Sequence, residues 1–171
     1  FVVGALTLLA LISALWLRER GDPELLYFGG RLDFPITYWN GQAAMALIGA
    51  ELPVVEPGYT EIHLPHRAEI TQQHGYIHGG VVGMIADSAA GYAASTLTPA
   101  DASVLTVEYK MNLVAPADGQ RLVARGEVIR PGRTLIVTRA DVYAIRDEQW
   151  TLCAVMQQTI MVMHGRKERE G

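Results

Sequence analysis

The 171-residue chain contains one cysteine, Cys153. A single thiol excludes an intrachain disulfide framework and a thiolate metal site. Its place in an apolar, strand-like run reads as a buried core thiol. This usage fits a reducing compartment, and a cytoplasmic location is expected. Basic charge is also scarce: 14 Lys and Arg stand against 18 Asp and Glu, for a net charge of −4. A nucleic-acid surface is normally basic, so that class of partner is not expected. The chain has no internal repeat and no low-complexity segment, which sets aside solenoids and disordered linkers. What it does have is apolar residues, 50% of the total, with 19% charged. That balance suits one ordinary domain with a real core.

Residues 1–17 are uncharged, and Arg18 and Arg20 follow. The run is at the short limit for a membrane span. As an anchor it would leave the following domain on the cytoplasmic side. A helix packed on the domain, a signal-peptide remnant or an unrelated extension are the rival readings. Residues 1–30 are therefore set apart, 31–164 form the expected domain, and 165–171 are a charged tail.

Pro35 and Gly49 bracket a helix over 35–48, with Tyr38, Met45 and Ile48 able to share a face. Strands follow over 51–56 and 59–66, split by a turn at Pro57-Gly58. Residues 68–77 are polar and irregular. After a long apolar helix and a loop over 99–103, four strands come in hairpin succession. Residues 105–113 alternate with a clean period of two, placing Leu105, Val107 and Tyr109 on one face and Thr106 on the other. Residues 121–128, 134–145 and 150–163 supply the rest, with turns at 116–119 and Pro131-Gly132. An antiparallel sheet wrapped on one central helix, an α+β fold, is expected.

The stretch from His74 to Thr98 organises this reading. It is apolar on nearly every side, which implies a helix buried all round. Between Gly79 and Ala100 the one charged residue is Asp87. A carboxylate there is costly unless it is paired, hydrated or used. Gly83 and Gly91 each cost about 1 kcal/mol of helix propensity relative to Ala and read as packing residues. Gly79 and Gly80 lie where the helix begins, and a helix N-terminus carries unpaired amides and partial positive charge. With no side chains in the way, a ligand oxygen can approach, as an oxyanion site for acyl transfer requires. Asp87 lies eight residues beyond Gly79, about 12 Å of helix rise. One subunit cannot bring both groups to one carbonyl, so a shared site predicts a dimer.

The frame HGGVVGMIADSAAGYA, carrying His78-Gly79-Gly80 and Asp87, resembles the signature of the PaaI-type hot-dog thioesterases. The run VEYKMNLVAPADG, Gly132-Arg133 and the final strand pair resemble that family too. The likeness covers about residues 35–163. It implies a curved antiparallel sheet around a long central helix, in homodimers that often pair again as tetramers. The implied substrate is a thioester of coenzyme A or of a carrier protein. Asp87 would be the catalytic carboxylate, as general base or nucleophile. The Gly79 amide from the other subunit would polarise the thioester carbonyl, with His78 in the catalytic set and Gly80 in contact with substrate; a structural histidine is the rival reading of His78. Gln72, six residues before His78, would orient water or the acyl carbonyl. Gln there usually accompanies Glu rather than Asp in the family, so the pair assigns no substrate subgroup. Thr106 would help position water, although a plain strand threonine is the rival reading. Arg130 and Arg133, with Thr134, are candidates for substrate contact, since Arg suits phosphate recognition; a solvated turn is the alternative. His74 and Tyr76 receive no role.

The expected activity is hydrolysis of an acyl- or aryl-coenzyme A thioester, with no metal or redox cofactor needed. The alternatives are an acyl-coenzyme A sensor or scaffold, and a hot-dog dehydratase or hydratase. The sensor would not need Asp87. The dehydratase would pair a catalytic histidine with an acid in a different local frame, which this chain lacks.

Overall fold

The computed structural model describes residues 39, 41–99 and 101–165. Among them no helix is long and apolar enough to cross a membrane. The segment 1–17 read as a candidate anchor, and the tail 166–171, lie outside the described residues.

Helix α1, Ala43–Ile48, buries Met45 and Ile48 and stops at Gly49 as expected, but it starts after Gln42 and not at Pro35; Pro35 and Tyr38 lie outside the described residues. Gly49 takes φ 73°, and its amide closes onto the Ala46 and Met45 carbonyls. Strands β1, Glu51–Glu56, and β2, Tyr59–Pro65, form a hairpin around Pro57-Gly58. A short 3-10 turn, Ala68–Ile70, leads into the central helix α2, Gly79–Ser95. Then come β3, Ser103–Leu113, β4, Arg121–Arg130, β5, Leu135–Arg146, and β6, Gln149–Met163.

The six strands make one antiparallel sheet in the order β1-β2-β4-β5-β6-β3. This is the expected hot-dog arrangement, with one difference in connectivity. The last four strands are not a simple hairpin succession. Only β4, β5 and β6 are joined that way, while β3 pairs with β6 on the far edge. The chain then crosses back over the end of the sheet. Val114 and Ala115 donate to the Cys153 carbonyl on β6, and Ala117 accepts from the Ile77 amide just before α2.

The core lies between α2 and the inward face of the sheet. Ile62, Leu64, Val82, Ile85, Leu122, Ala124, Val142 and Met156 belong to it, together with Met45 and Ile48 of α1. Burying each large aliphatic side chain stabilises by roughly 1.5–3 kcal/mol. The alanines of α2 let the helix lie close to the strands. At Gly126 on β4 an added Cβ would fall 2.3 Å from the Ala89 carbonyl carbon. Beside this approach, Thr60 Oγ1 on β2 donates to the Ala89 carbonyl oxygen at 2.6 Å.

Among the described residues the helix is not covered all round. Gly80 and Met84 are exposed, and Asp87, Ser88 and Gly91 are half-buried, so the described elements leave one stripe of α2 open. Gly83 meets Met111 in ordinary contact, in line with a packing role. Among the described residues nothing lies within 4 Å of a Cβ added at Gly91, which is on that stripe and shows no packing role there.

A second departure is in β3. Its register against β6 shifts between Thr106 and Glu108, leaving Val107 in a bulge. A bulge adds a residue and turns the side-chain phase over. Thr106 therefore faces the helix before the bulge, and Met111 and Leu113 face it after. Leu105, Val107 and Tyr109, which the alternation places on one face with Met111 and Leu113, are all exposed.

On the outer face, Glu61 ties three residues together. It accepts from the Tyr59 hydroxyl at 2.5 Å and from Arg125 Nε at 3.0 Å, and His63 Nε2 lies 3.2 Å away. Burial pushes its pKa up. The hydrogen bonds from Tyr59 and His63 and the charge of Arg125 outweigh that and hold it below the usual carboxylate value. The Arg125 guanidinium also stands 4.5 Å from the Trp150 ring centre and 5.4 Å from that of Tyr143.

Candidate active site

The N-terminus of α2 is built by its own cap. His78 is the N-cap residue, and its Nδ1 accepts from the Gly80 amide at 2.9 Å. The neutral ring therefore carries its proton on Nε2. The Val81 and Val82 amides share the His78 carbonyl at 2.9 and 3.1 Å. Of the four amides that open the helix, the one left without an acceptor among the described residues is Gly79's. Leu113 of β3 packs over that position, its Cδ1 3.0 Å from where a Gly79 Cβ would stand. A larger residue would be crowded there, which is a local reason for glycine.

Two turns along, Asp87 sits half-buried on the open stripe. Thr106 Oγ1 on β3 donates to Asp87 Oδ1 at 2.8 Å. A hydroxyl bonded to a charged group is worth about 1.5–3 kcal/mol, and it fixes the carboxylate rotamer. Oδ2 has no partner among the described residues, so it is available for a proton from water. The bulge at Val107 makes this pairing possible, since it lets Thr106 point inward while the rest of β3 changes phase.

Gln158 was not singled out in the sequence, yet it also reaches Asp87. Its side chain is fully buried on β6, and Nε2 donates to the Asp87 main-chain carbonyl at 3.3 Å. The signal was present. Ala154, Met156, Gln158, Ile160 and Val162 share the inward phase of β6, and Gln158 alone among them carries a polar side chain.

Other expected residues are placed elsewhere. Gln72 Oε1 accepts from the His74 amide at 2.6 Å, so this side chain turns back on its own loop. Arg130, Arg133 and Thr134 are exposed at the β4–β5 turn. This turn lies toward the C-terminal end of α2, since Val128 and Leu97 both border Gly58. The main chain of Arg133 accepts from a His164 ring nitrogen at 2.8 Å. Within one chain, then, Asp87 and Thr106 come together, His78 and Gly80 come together, and the β4–β5 turn remains apart from both.

Three comparisons bear on this geometry. The model of the thioesterase superfamily matches residues 74–151, a span that takes in α2, Asp87 and Thr106. The 1,4-dihydroxy-2-naphthoyl-CoA hydrolase of Listeria monocytogenes is 31% identical over 120 residues, covering 70% of this chain and 95% of its own. Among solved structures, a thioesterase family protein from Silicibacter pomeroyi is 43% identical with a TM-score of 0.75, covering 77% of this chain and 96% of its own. The PaaI protein of the E. coli phenylacetic acid degradation operon shares the fold at 17% identity, with a TM-score of 0.67 over 75% of this chain and 90% of its own.

Proposed function

The chain belongs to the thioesterase superfamily and is a thioester hydrolase, and from that premise we propose that it cleaves an acyl- or aryl-coenzyme A thioester with Asp87 as the reacting carboxylate. The observation that carries this reading is the Thr106–Asp87 hydrogen bond on the open stripe of α2. A sensor would have no use for an oriented acid on its exposed helix face.

The chemistry needs three things. A water molecule must lose a proton as its oxygen attacks the thioester carbonyl, the carbonyl oxygen must be stabilised as it becomes negative, and sulfur must leave. Asp87 Oδ2 takes the proton as general base, while Thr106 holds Oδ1 still. An amide at a helix N-terminus supplies the oxyanion donor. The tetrahedral intermediate then collapses, the C–S bond breaks, and the proton held by Asp87 passes to the thiolate. The products are a carboxylic acid and the free thiol. Direct attack by Asp87 on the carbonyl is the nucleophilic variant of the same assignment.

Asp87 and the Gly79 amide of one chain stand about 12 Å apart along the helix. Strand β3 offers the way to join them. Among the described residues it is an unpaired edge, whose Leu105, Val107, Tyr109 and Leu113 are each 48–57% exposed. Such an edge is a template for pairing. Thr106, which holds Asp87, is near one end of β3, and Leu113, which packs over Gly79, is at the other. Antiparallel pairing of two β3 strands, centred near Tyr109 and Lys110, would set the Asp87 of one copy beside the Gly79 of its twin. The homodimer is thus part of the catalytic proposal.

Arg130 and Arg133 have no ion-pair partner among the described residues and are offered, with Thr134, as contacts for the coenzyme A phosphates. Gln72 joins the site as a water or carbonyl ligand once its side chain releases the His74 amide. Residues 31–164 form the hydrolase domain. The test is Asp87→Asn against a panel of acyl- and aryl-coenzyme A esters, read by free-thiol release. Loss of general acid–base catalysis should lower kcat on the order of 10²-fold or more. Turnover near the wild-type rate would remove Asp87 from the mechanism.

A further inference from the structure

The inward face of β6 carries a side chain with no evident packing purpose. Gln158 is 0% exposed, and its neighbours in phase are Met156 and Ile160. A methionine or leucine would fill the same volume without burying an amide, and buried polar groups cost stability unless they are bonded. Gln158 is only partly bonded: Oε1 has no partner. Its register partner on β5, Thr138, is also fully buried with an unpartnered hydroxyl. Such orphan groups call for a reason beyond packing.

The contact Gln158 does make identifies that reason. Nε2 donates to the main-chain carbonyl of Asp87. That carbonyl lies inside α2, where the amide four residues on is its ordinary partner. The helix does not need Gln158 to satisfy it. What the bond does is hold the turn of helix bearing the acid against β6, while Thr106 on the adjacent strand β3 holds the acid's carboxylate. Two arms from neighbouring strands grip one residue, at its backbone and at its side chain.

We propose that Gln158 is a positioning residue for thioester hydrolysis, fixing the Asp87 turn on the sheet so that the carboxylate meets the Thr106 hydroxyl and the water in register. The proposal rests on Asp87 being the reacting acid. It is distinct from that reading, because Gln158 reaches Asp87 through the main-chain carbonyl and not through the carboxylate. A small misplacement of a catalytic group is expensive even when binding is intact. The loss therefore belongs in kcat and not in KM.

The experiment measures kcat, KM and thermal stability for Gln158→Met, Gln158→Asn, Thr138→Val and Thr106→Val, with Asp87→Asn as reference. Gln158→Met keeps the volume and removes the donor. Gln158→Asn keeps an amide one methylene short of the carbonyl, and it serves if the methionine variant does not fold. Either should lower kcat about tenfold with KM within about twofold. Thr138→Val, which disturbs the same buried row without touching Asp87, should keep kcat. In the Thr106→Val background, removing the Gln158 donor should cost less than it does in the wild type, since both act through one carboxylate. The proposal is overturned by folded Gln158 variants with wild-type kcat, by an equal loss in Thr138→Val, or by fully independent effects of Gln158 and Thr106. If Asp87→Asn is inactive while the Gln158 variants are unaffected, the acid stands and the positioning role alone fails. If Asp87→Asn turns over normally, the underlying reading fails as well.

Discussion

Adding one methyl group to β4 should move Asp87, the proposed reacting acid, from the far side of the helix. In Gly126→Ala, the new Cβ would stand 2.3 Å from the Ala89 carbonyl carbon, 2.4 Å from its oxygen and 2.5 Å from the Ala90 nitrogen. Ordinary contact begins at 3.4 Å. Helix and strand must therefore part by about 1 Å, because all three neighbours are backbone atoms with no rotamer to change. Overpacking costs about 1–3 kcal/mol, and rigid neighbours place this case near the upper end, around 3 kcal/mol. The same displacement would loosen the Thr60–Ala89 hydrogen bond. It also lifts α2 less than one turn from Asp87, and a misplacement of about 1 Å can lower turnover on the order of 10²-fold. Urea denaturation should show a lower midpoint at unchanged slope, and thiol release should show reduced kcat in protein that is still folded. A stability change within about 0.5 kcal/mol of the wild type, the range of a harmless surface substitution, together with normal kcat would refute the reasoning.

Other outcomes follow from the same contacts. Val107→Lys combined with Tyr109→Lys puts like charges along the β3 edge, so light scattering should report a monomer and activity should fall with the dimer; a fully active monomer would exclude a site shared between copies. Burial pushes the Cys153 thiol from 9.0 up to about 11, so iodoacetamide at about pH 8 should label it slowly in the native protein and readily in denaturant. Its folded pKa is raised, so its contribution to stability is complete below about pH 9 and drains away as pH climbs toward 11. Glu61 behaves in the opposite sense: its folded pKa lies below the ordinary 4.5, so its contribution is present above that value and is lost as pH falls through it. Melting curves of Glu61→Gln should accordingly lose part of the acid-side decline expected of the wild type.

The chain's local patterns gave away the central helix and most strands. A continuous apolar run behind His78-Gly79-Gly80 marks α2, and alternation over β5 and β6 survives in the folded protein because each strand has one buried face. Asp87 stands out by charge alone. The bulge at Val107 is different. It is set by pairing with β6, and nothing in the alternation of residues 105–113 announces it. Leu105 and Val107 look like core because an exposed strand edge can be as apolar as an interior. Sheet order is likewise nonlocal, so the crossing from β3 to β4 resembles an ordinary turn in one dimension. Gln158 was legible in principle, as an amide in an apolar phase, but its meaning depends on Asp87, 71 residues away.

The aromatic pairs give the two layers separate optical signatures. Trp39 meets Tyr92 of α2 edge to face, with ring centres 5.7 Å apart. Trp150 meets Tyr143 in the same manner at 5.6 Å, with a guanidinium across its ring. The first indole reports on the helix and the segment laid over it, and the second on the outside of the strands. In two single-tryptophan variants, with Trp16 also replaced by Phe, their emission spectra therefore distinguish a molecule whose helix has come away from its wrapping from one in which both layers have dissolved together.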